Sequence, residues 1–177
     1  MKSKCLAGAI LKVLMLTAQA AGIPEQLKPF ERGSWQKILH AHAGRPTLVH
    51  FWGVTCGPCK VELPLLGAFM KDHPAIDVVT ISADLVPNLP DATRAMLQNA
   101  GLSSAENWIF GDGFVERLRF EIDPDWQGDI PRTVLIARDG QMICRQVDIW
   151  CASSRDHSCG VQSALRPSGM TRSSDYC

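Results

Sequence analysis

Two cysteines two residues apart, Cys56-Gly57-Pro58-Cys59, stand between a strand-like run and a helix-like run, and this junction constrains the chain more than any other feature. Before it, Thr47-Leu48-Val49-His50-Phe51-Trp52 is nearly continuous in apolar and β-favouring residues, which suits a central strand buried on both faces. After it, Val61, Leu65, Leu66, Phe69 and Met70 recur at helical spacing. Pro58 falls near the first turn of that helix, where a missing N–H costs little. Pro64 lies deeper and predicts a kink, and His73-Pro74 predicts the stop. The backbone must therefore change from sheet to helix at the cysteines.

The flanking pattern extends this into an α/β layer fold. Residues 21–46 read as a lead-in in which Ser34 caps a short helix through Trp35, Ile38 and Leu39, ended by Gly44-Arg45-Pro46. Ile76, Val78, Val79 and Ile81 make a second buried strand, and Asp91 to Ala100 a helix stopped by Gly101. Residues 107–110 read as a short strand, 112–120 as a helix and 133–137 as a strand. Asp139-Gly140 signals a hairpin, with 141–147 as the return strand. The order predicts a central mixed sheet flanked by helices, its first strands parallel and its last pair antiparallel.

At 177 residues with 46% hydrophobic and 20% charged content, the chain suits one domain with a substantial core. Its 18 basic and 18 acidic residues cancel, so no net field argues for nucleic acid or an anionic membrane surface. Residues 1–20 follow the grammar of a secretory signal: Lys2 and Lys4, an apolar stretch from Leu6 to Leu16 broken by Lys12, then Ala18-Gln19-Ala20 before the cleavage point. The alternative is an uncleaved anchor over residues 6–20, short by the measure of a bilayer. A domain over 21–150 follows. Residues 151–177, rich in Ser and Cys and poor in large apolar residues, read as loop or disorder. Cys56, Cys59, Cys144, Cys151, Cys159 and Cys177 remain after the presequence, a number that fits an oxidising compartment. Composition does not assign their pairing, and Cys144 reads equally as a partner of Cys151 or a buried free thiol.

A helix start favours negative charge through its free N–H groups and dipole, so a cysteine placed there ionises readily. The thiolate is the nucleophile of disulfide exchange, which makes Cys56 the attacking residue and Cys59, one turn in and shielded, the resolving one. A plain disulfide staple is a second reading. A metal half-site is a third, with Cys151, His157 and Cys159 as the remaining ligands. His50 reads as a packed core residue, and His40 and His42 carry no metal spacing.

The segment Phe51-Trp52-Gly53-Val54-Thr55-Cys56-Gly57-Pro58-Cys59-Lys60-Val61-Glu62-Leu63-Pro64 resembles the active-site segment of the TlpA/ResA-like thioredoxins of bacterial periplasms. Gly128-Asp129-Ile130-Pro131-Arg132-Thr133 resembles the family's cis-proline loop, and the similarity covers about residues 34–148. The resemblance implies a thioredoxin-like fold with a redox-active Cys56–Cys59 disulfide and neither metal nor further cofactor. Pro131 would be a cis-proline facing the motif, leaving the Ile130 backbone free to pair with a substrate strand. Glu62 would be a partly buried carboxylate that shuttles the Cys59 proton. Trp52, Thr55, Gly57, Pro58, Ile130 and Pro131 would form the substrate contact, with Trp52 packing near the site and reading equally as a core aromatic.

It further implies a periplasmic reductase of protein disulfides, as in cytochrome c maturation, fed by an upstream membrane electron donor. Nucleic acid would play no part, and the membrane would enter only through an uncleaved N-terminal segment. The sequence departs from the pattern at Thr55, where thioredoxins commonly carry Trp, and after the hairpin, where the family's amphipathic C-terminal helix is not evident. The rival functions are a copper or other metal chaperone using the two thiols as soft ligands, and a peroxide-reducing thiol enzyme.

Overall fold

The structure is a computed structural model that describes residues 27–85 and 88–144. The signal expected over 1–20, the tail over 151–177, His157, Cys151, Cys159, Cys177 and the side chain of Cys144 lie outside the described residues, as does the return strand past 144. No described helix is long and apolar enough to cross a membrane.

Among the described residues, six strands and four helices follow in the order β1 (Lys28–Phe30), α1 (Ser34–Ala41), β2 (Thr47–Trp52), α2 (Gly57–Asp72), β3 (Asp77–Ser82), α3 (Pro90–Asn99), β4 (Glu106–Phe110), α4 (Val115–Ile122), β5 (Arg132–Ile136) and β6 (Met142–Cys144). They form one mixed sheet in the order β1-β4-β3-β2-β5-β6. β2 is parallel to β3 and antiparallel to β5, and β6 is antiparallel to β5. All six residues of β2 are buried, as its unbroken apolar run requires of a strand covered on both faces. Leu48 and Trp52 pack under α2 and α3 with Cys59, Leu63, Leu66 and Leu97. Val49 and Phe51 face the other way, onto Trp35 and Ile38 of α1 and Leu118 and Ile122 of α4.

Three details correct the sequence expectations. Ser34 is the first residue of α1 rather than its cap. Gly33 takes that place, and the Ser34 hydroxyl accepts the Glu31 N–H at 3.0 Å. α4 starts at Val115 rather than 112, because the Asp112 carboxylate accepts the Phe114 N–H and holds 112–114 in a turn. Those bonds, from Phe114 and then Arg117, hold the Asp112 carboxyl below its usual range. The lead-in also carries a strand, β1, paired in parallel with the outer edge of β4. α2 runs without a break across Pro64 to Asp72. At the hairpin, Gly140 donates to the Ala137 carbonyl and adopts φ +78°, giving a three-residue loop with a left-handed glycine.

Candidate redox site

Cys56 is itself the N-cap of α2. Its backbone is extended (φ −75°, ψ 112°), and its sulfur accepts the N–H of Cys59 at 3.2 Å. Ser, Thr, Asn or Asp ordinarily supply an oxygen in this position, accepting an N–H that the helix cannot satisfy. Here a sulfur does so, and no acidic side chain in the first turn opposes negative charge on it. The Cys56 N–H donates to the Gly53 carbonyl at 3.2 Å, closing the turn that carries the chain from β2 into the helix. The two sulfurs are joined in a disulfide, with the Cα atoms 5.3 Å apart.

The two cysteines differ in access. Cys59 has 0% exposure and belongs to the core cluster under α2, whereas Cys56 is partly exposed. Thr55, Gly57 and Pro58 surround Cys56 on the surface. Trp52, expected to touch substrate, has 0% exposure and packs in the same cluster as Cys59. Its strand position turns it inward, so it supports the site from below rather than lining its surface. Glu62 is partly buried on α2.

The second wall comes from the loop before β5. The Ile130–Pro131 bond is cis, and the Ile130 carbonyl oxygen lies 3.8 Å from Cys56 Sγ. Three interactions hold this loop. Arg132 donates to the Asp123 carboxylate at 2.5 Å, both side chains being buried. The Trp126 indole N–H donates to the Asp129 carbonyl at 2.9 Å. The Trp126 ring packs 4.7 Å from Phe51 of β2 and 5.4 Å from the Arg132 guanidinium. The loop is thereby fixed to the strand that feeds the motif.

Sequence reasoning missed this buttress, and it missed Asp84. The carboxylate of Asp84 accepts the Val54 N–H at 2.8 Å and the Ser82 hydroxyl at 3.0 Å. Contacts such as Arg132 with Asp123 and Asp84 with Val54 depend on pairings that residue spacing does not reveal. His50 is indeed a core residue, at 0% exposure. Its Nδ1 lies 2.9 Å from the Thr133 hydroxyl, and its Nε2 has no partner among the described residues. Burial lowers its pKa to about 3. Among the described residues no three His, Cys, Asp or Glu side chains group as metal ligands.

No protein-family model matches the chain. It is 42% identical over 51 residues to the sporulation thiol-disulfide oxidoreductase A of Bacillus subtilis (strain 168), covering 29% of this chain and 31% of the relative. It is 39% identical over 49 residues to a thioredoxin of Alicyclobacillus acidocaldarius, covering 28% and 45%. The matched stretch thus spans less than half the length of either curated relative. Among solved structures, a thioredoxin-like protein from Aeropyrum pernix matches with a TM-score of 0.52 at 14% identity, over 72% of this chain and 80% of that one. The thioredoxin domain of a thiol-disulfide oxidoreductase from Bacteroides vulgatus matches with a TM-score of 0.51 at 17% identity, over 62% and 74%. The fold is thioredoxin-like, and the TlpA/ResA resemblance is consistent with relatives that are thiol–disulfide oxidoreductases and thioredoxins.

Proposed function

We propose that the chain is an exported thiol–disulfide oxidoreductase that reduces disulfides of periplasmic proteins, in cytochrome c maturation or a similar process. The observation that carries the chemistry is the Cys59 N–H directed at the Cys56 sulfur at a helix start, with Cys59 buried behind it. In the reduced protein that N–H and the helix dipole stabilise a Cys56 thiolate. The thiolate attacks one sulfur of a substrate disulfide, forms a Cys56–substrate disulfide and releases the other substrate sulfur as a thiolate. Cys59 loses its proton, with Glu62 as the proposed acceptor, and attacks Cys56 Sγ. The Cys56–Cys59 disulfide forms and the second substrate thiolate leaves. Two electrons pass to the substrate. An upstream dithiol donor, proposed to lie in the membrane, returns them.

Thr55, Gly57 and Pro58 would meet the substrate on one side and Ile130 and Pro131 on the other. Export is supported by the pattern of residues 1–20 alone.

Insulin reduction driven by dithiothreitol tests the activity. Turnover is expected in the wild type and none in Cys56→Ser. Cys59→Ser is expected to accumulate mixed disulfides, because only the second attack is lost. Stoichiometric Cu(I) retention without turnover would point instead to a metal chaperone. Titration against a dithiothreitol or glutathione buffer fixes the direction of electron flow, a strongly negative potential marking a reductase.

A further inference from the structure

We propose that Asp84 is a positioning residue of the redox site, a carboxylate that locks the entry loop of the motif against the wall formed by Ile130. The inference rests on the reading of Cys56 as the attacking sulfur. β2 and β3 stay paired past their ends, since the Ala83 N–H donates to the Trp52 carbonyl at 2.8 Å. This carries Asp84 beside Gly53 and Val54, thirty residues away in sequence. One carboxylate oxygen, Oδ2, accepts both the Val54 N–H and the Ser82 hydroxyl, tying the loop before Cys56 to the end of β3.

The other oxygen closes the space above Gly53. A Cβ placed on Gly53 would lie 2.7 Å from Asp84 Oδ1 and 2.9 Å from Ile130 Cδ1, so the carboxylate and the Ile130 side chain converge on a residue with no side chain. Gly53 in turn accepts the Cys56 N–H, and the Ile130 carbonyl faces Cys56 Sγ. Both supports of the attacking sulfur therefore meet at Asp84. An ordinary loop cap would bond only to its own segment. This carboxylate ties the end of β3 to the loop that leaves β2 for the motif.

Asp84→Asn is the conservative variant, because its amide oxygen can replace Oδ2 in both hydrogen bonds, whereas Asp84→Ala removes both. The readout is the pH dependence of Cys56 alkylation by iodoacetamide in the reduced full chain, followed on the Cys56 peptide. Lys60 and Glu62 of α2, Asp129 before Ile130, and Arg132, Asp123 and Arg119 around that loop are ionisable groups near the motif and its facing loop, and both variants keep them. In Asp84→Ala the midpoint is expected to rise and insulin reduction to slow by about tenfold, because the loop that presents Cys56 to the helix N–H groups loses its tie. Asp84→Asn is expected to restore the wild-type midpoint and rate.

An Asp84→Ala variant that folds and keeps the wild-type midpoint and rate overturns the proposal, and so does an Asp84→Asn variant that folds but loses them. The asparagine result decides if the alanine variant does not fold. A wild type that alkylates normally but reduces no disulfide would sink the proposed activity and leave this comparison standing.

Discussion

The two ends of the parallel strands use charge in opposite ways. At the N-terminal end, Asp77 of β3 and Glu106 of β4 face the two ring nitrogens of His42, at 2.7 and 2.9 Å. Arg45 and Lys28 add a second partner to each carboxylate. This end is a charged clasp over four elements, and its cations remain partly in water. At the C-terminal end two carboxylates have fixed, buried or backbone partners. Asp84 holds backbone and hydroxyl groups, and Asp123 holds Arg132. An end that binds the sheet together tolerates exchangeable partners. An end that presents one sulfur requires fixed ones, because a small displacement there changes the chemistry.

The largest expected effect tests that contrast at the Arg132–Asp123 pair. The side chains are 10% and 2% exposed, so removing the arginine leaves a carboxylate with little access to water. Arg132→Ala is expected to cost about 3–5 kcal/mol in denaturant unfolding, and to loosen the loop bearing Ile130. A loss below about 1 kcal/mol would mean that water replaces the partner as easily as it would at the opposite end.

Next in size is an effect from the middle of the sheet, where His50 lies between the two ends. Its pKa is depressed by burial from the ordinary 6.5 to about 3. The unfolded chain therefore takes up a proton that the native state refuses. Stability conferred by the neutral ring is complete above about pH 6.5 and falls with pH down to about 3, by about 1.4 kcal/mol for each pH unit. His50→Gln is expected to flatten that limb of a stability-versus-pH curve measured by urea unfolding. An unchanged limb would assign the acid sensitivity to the clasp instead.

What the sequence reveals follows the same division. β2, the turn into α2 and the identity of the paired cysteines are legible because they are local: apolar run, Cys-Gly-Pro-Cys and helical spacing are continuous from Thr47 to Met70. Trp52 packs beneath the motif with Cys59, as a core aromatic next to the site, because alternation in β2 directs it there. β1 escaped notice because Lys-Pro-Phe carries almost no strand signal. Its proline is tolerated because β1 is an edge strand. Asp84, Asp123 and Arg132 were not legible as a set. Each is an ordinary polar residue at the end of an element, and what they do is decided by the pairing of β2 with β3 and β5.

The smallest expected effect lies at Lys28 and shows why the clasp can be modest. Burial opposes ionisation of Glu106, but hydrogen bonds from Lys28 and His42, together with their charges, outweigh it and lower the Glu106 pKa below its usual value. A carboxylate depressed in the native state adds stability that is complete above its unfolded pKa and disappears as pH falls through the folded one. The Lys28 side chain is 48% exposed, so solvent screening should hold the cost of Lys28→Ala at neutral pH below about 1 kcal/mol. The difference from the wild type is expected to shrink in high salt and again as Glu106 is protonated, leaving the contact of Lys28 with the Trp108 ring, 5.2 Å to its centroid. Exchange activity should not change, because no group of the clasp reaches the sulfurs. A Lys28→Ala variant that lost activity while keeping its stability would show the two ends to be coupled through β4 and β3, against the division drawn above.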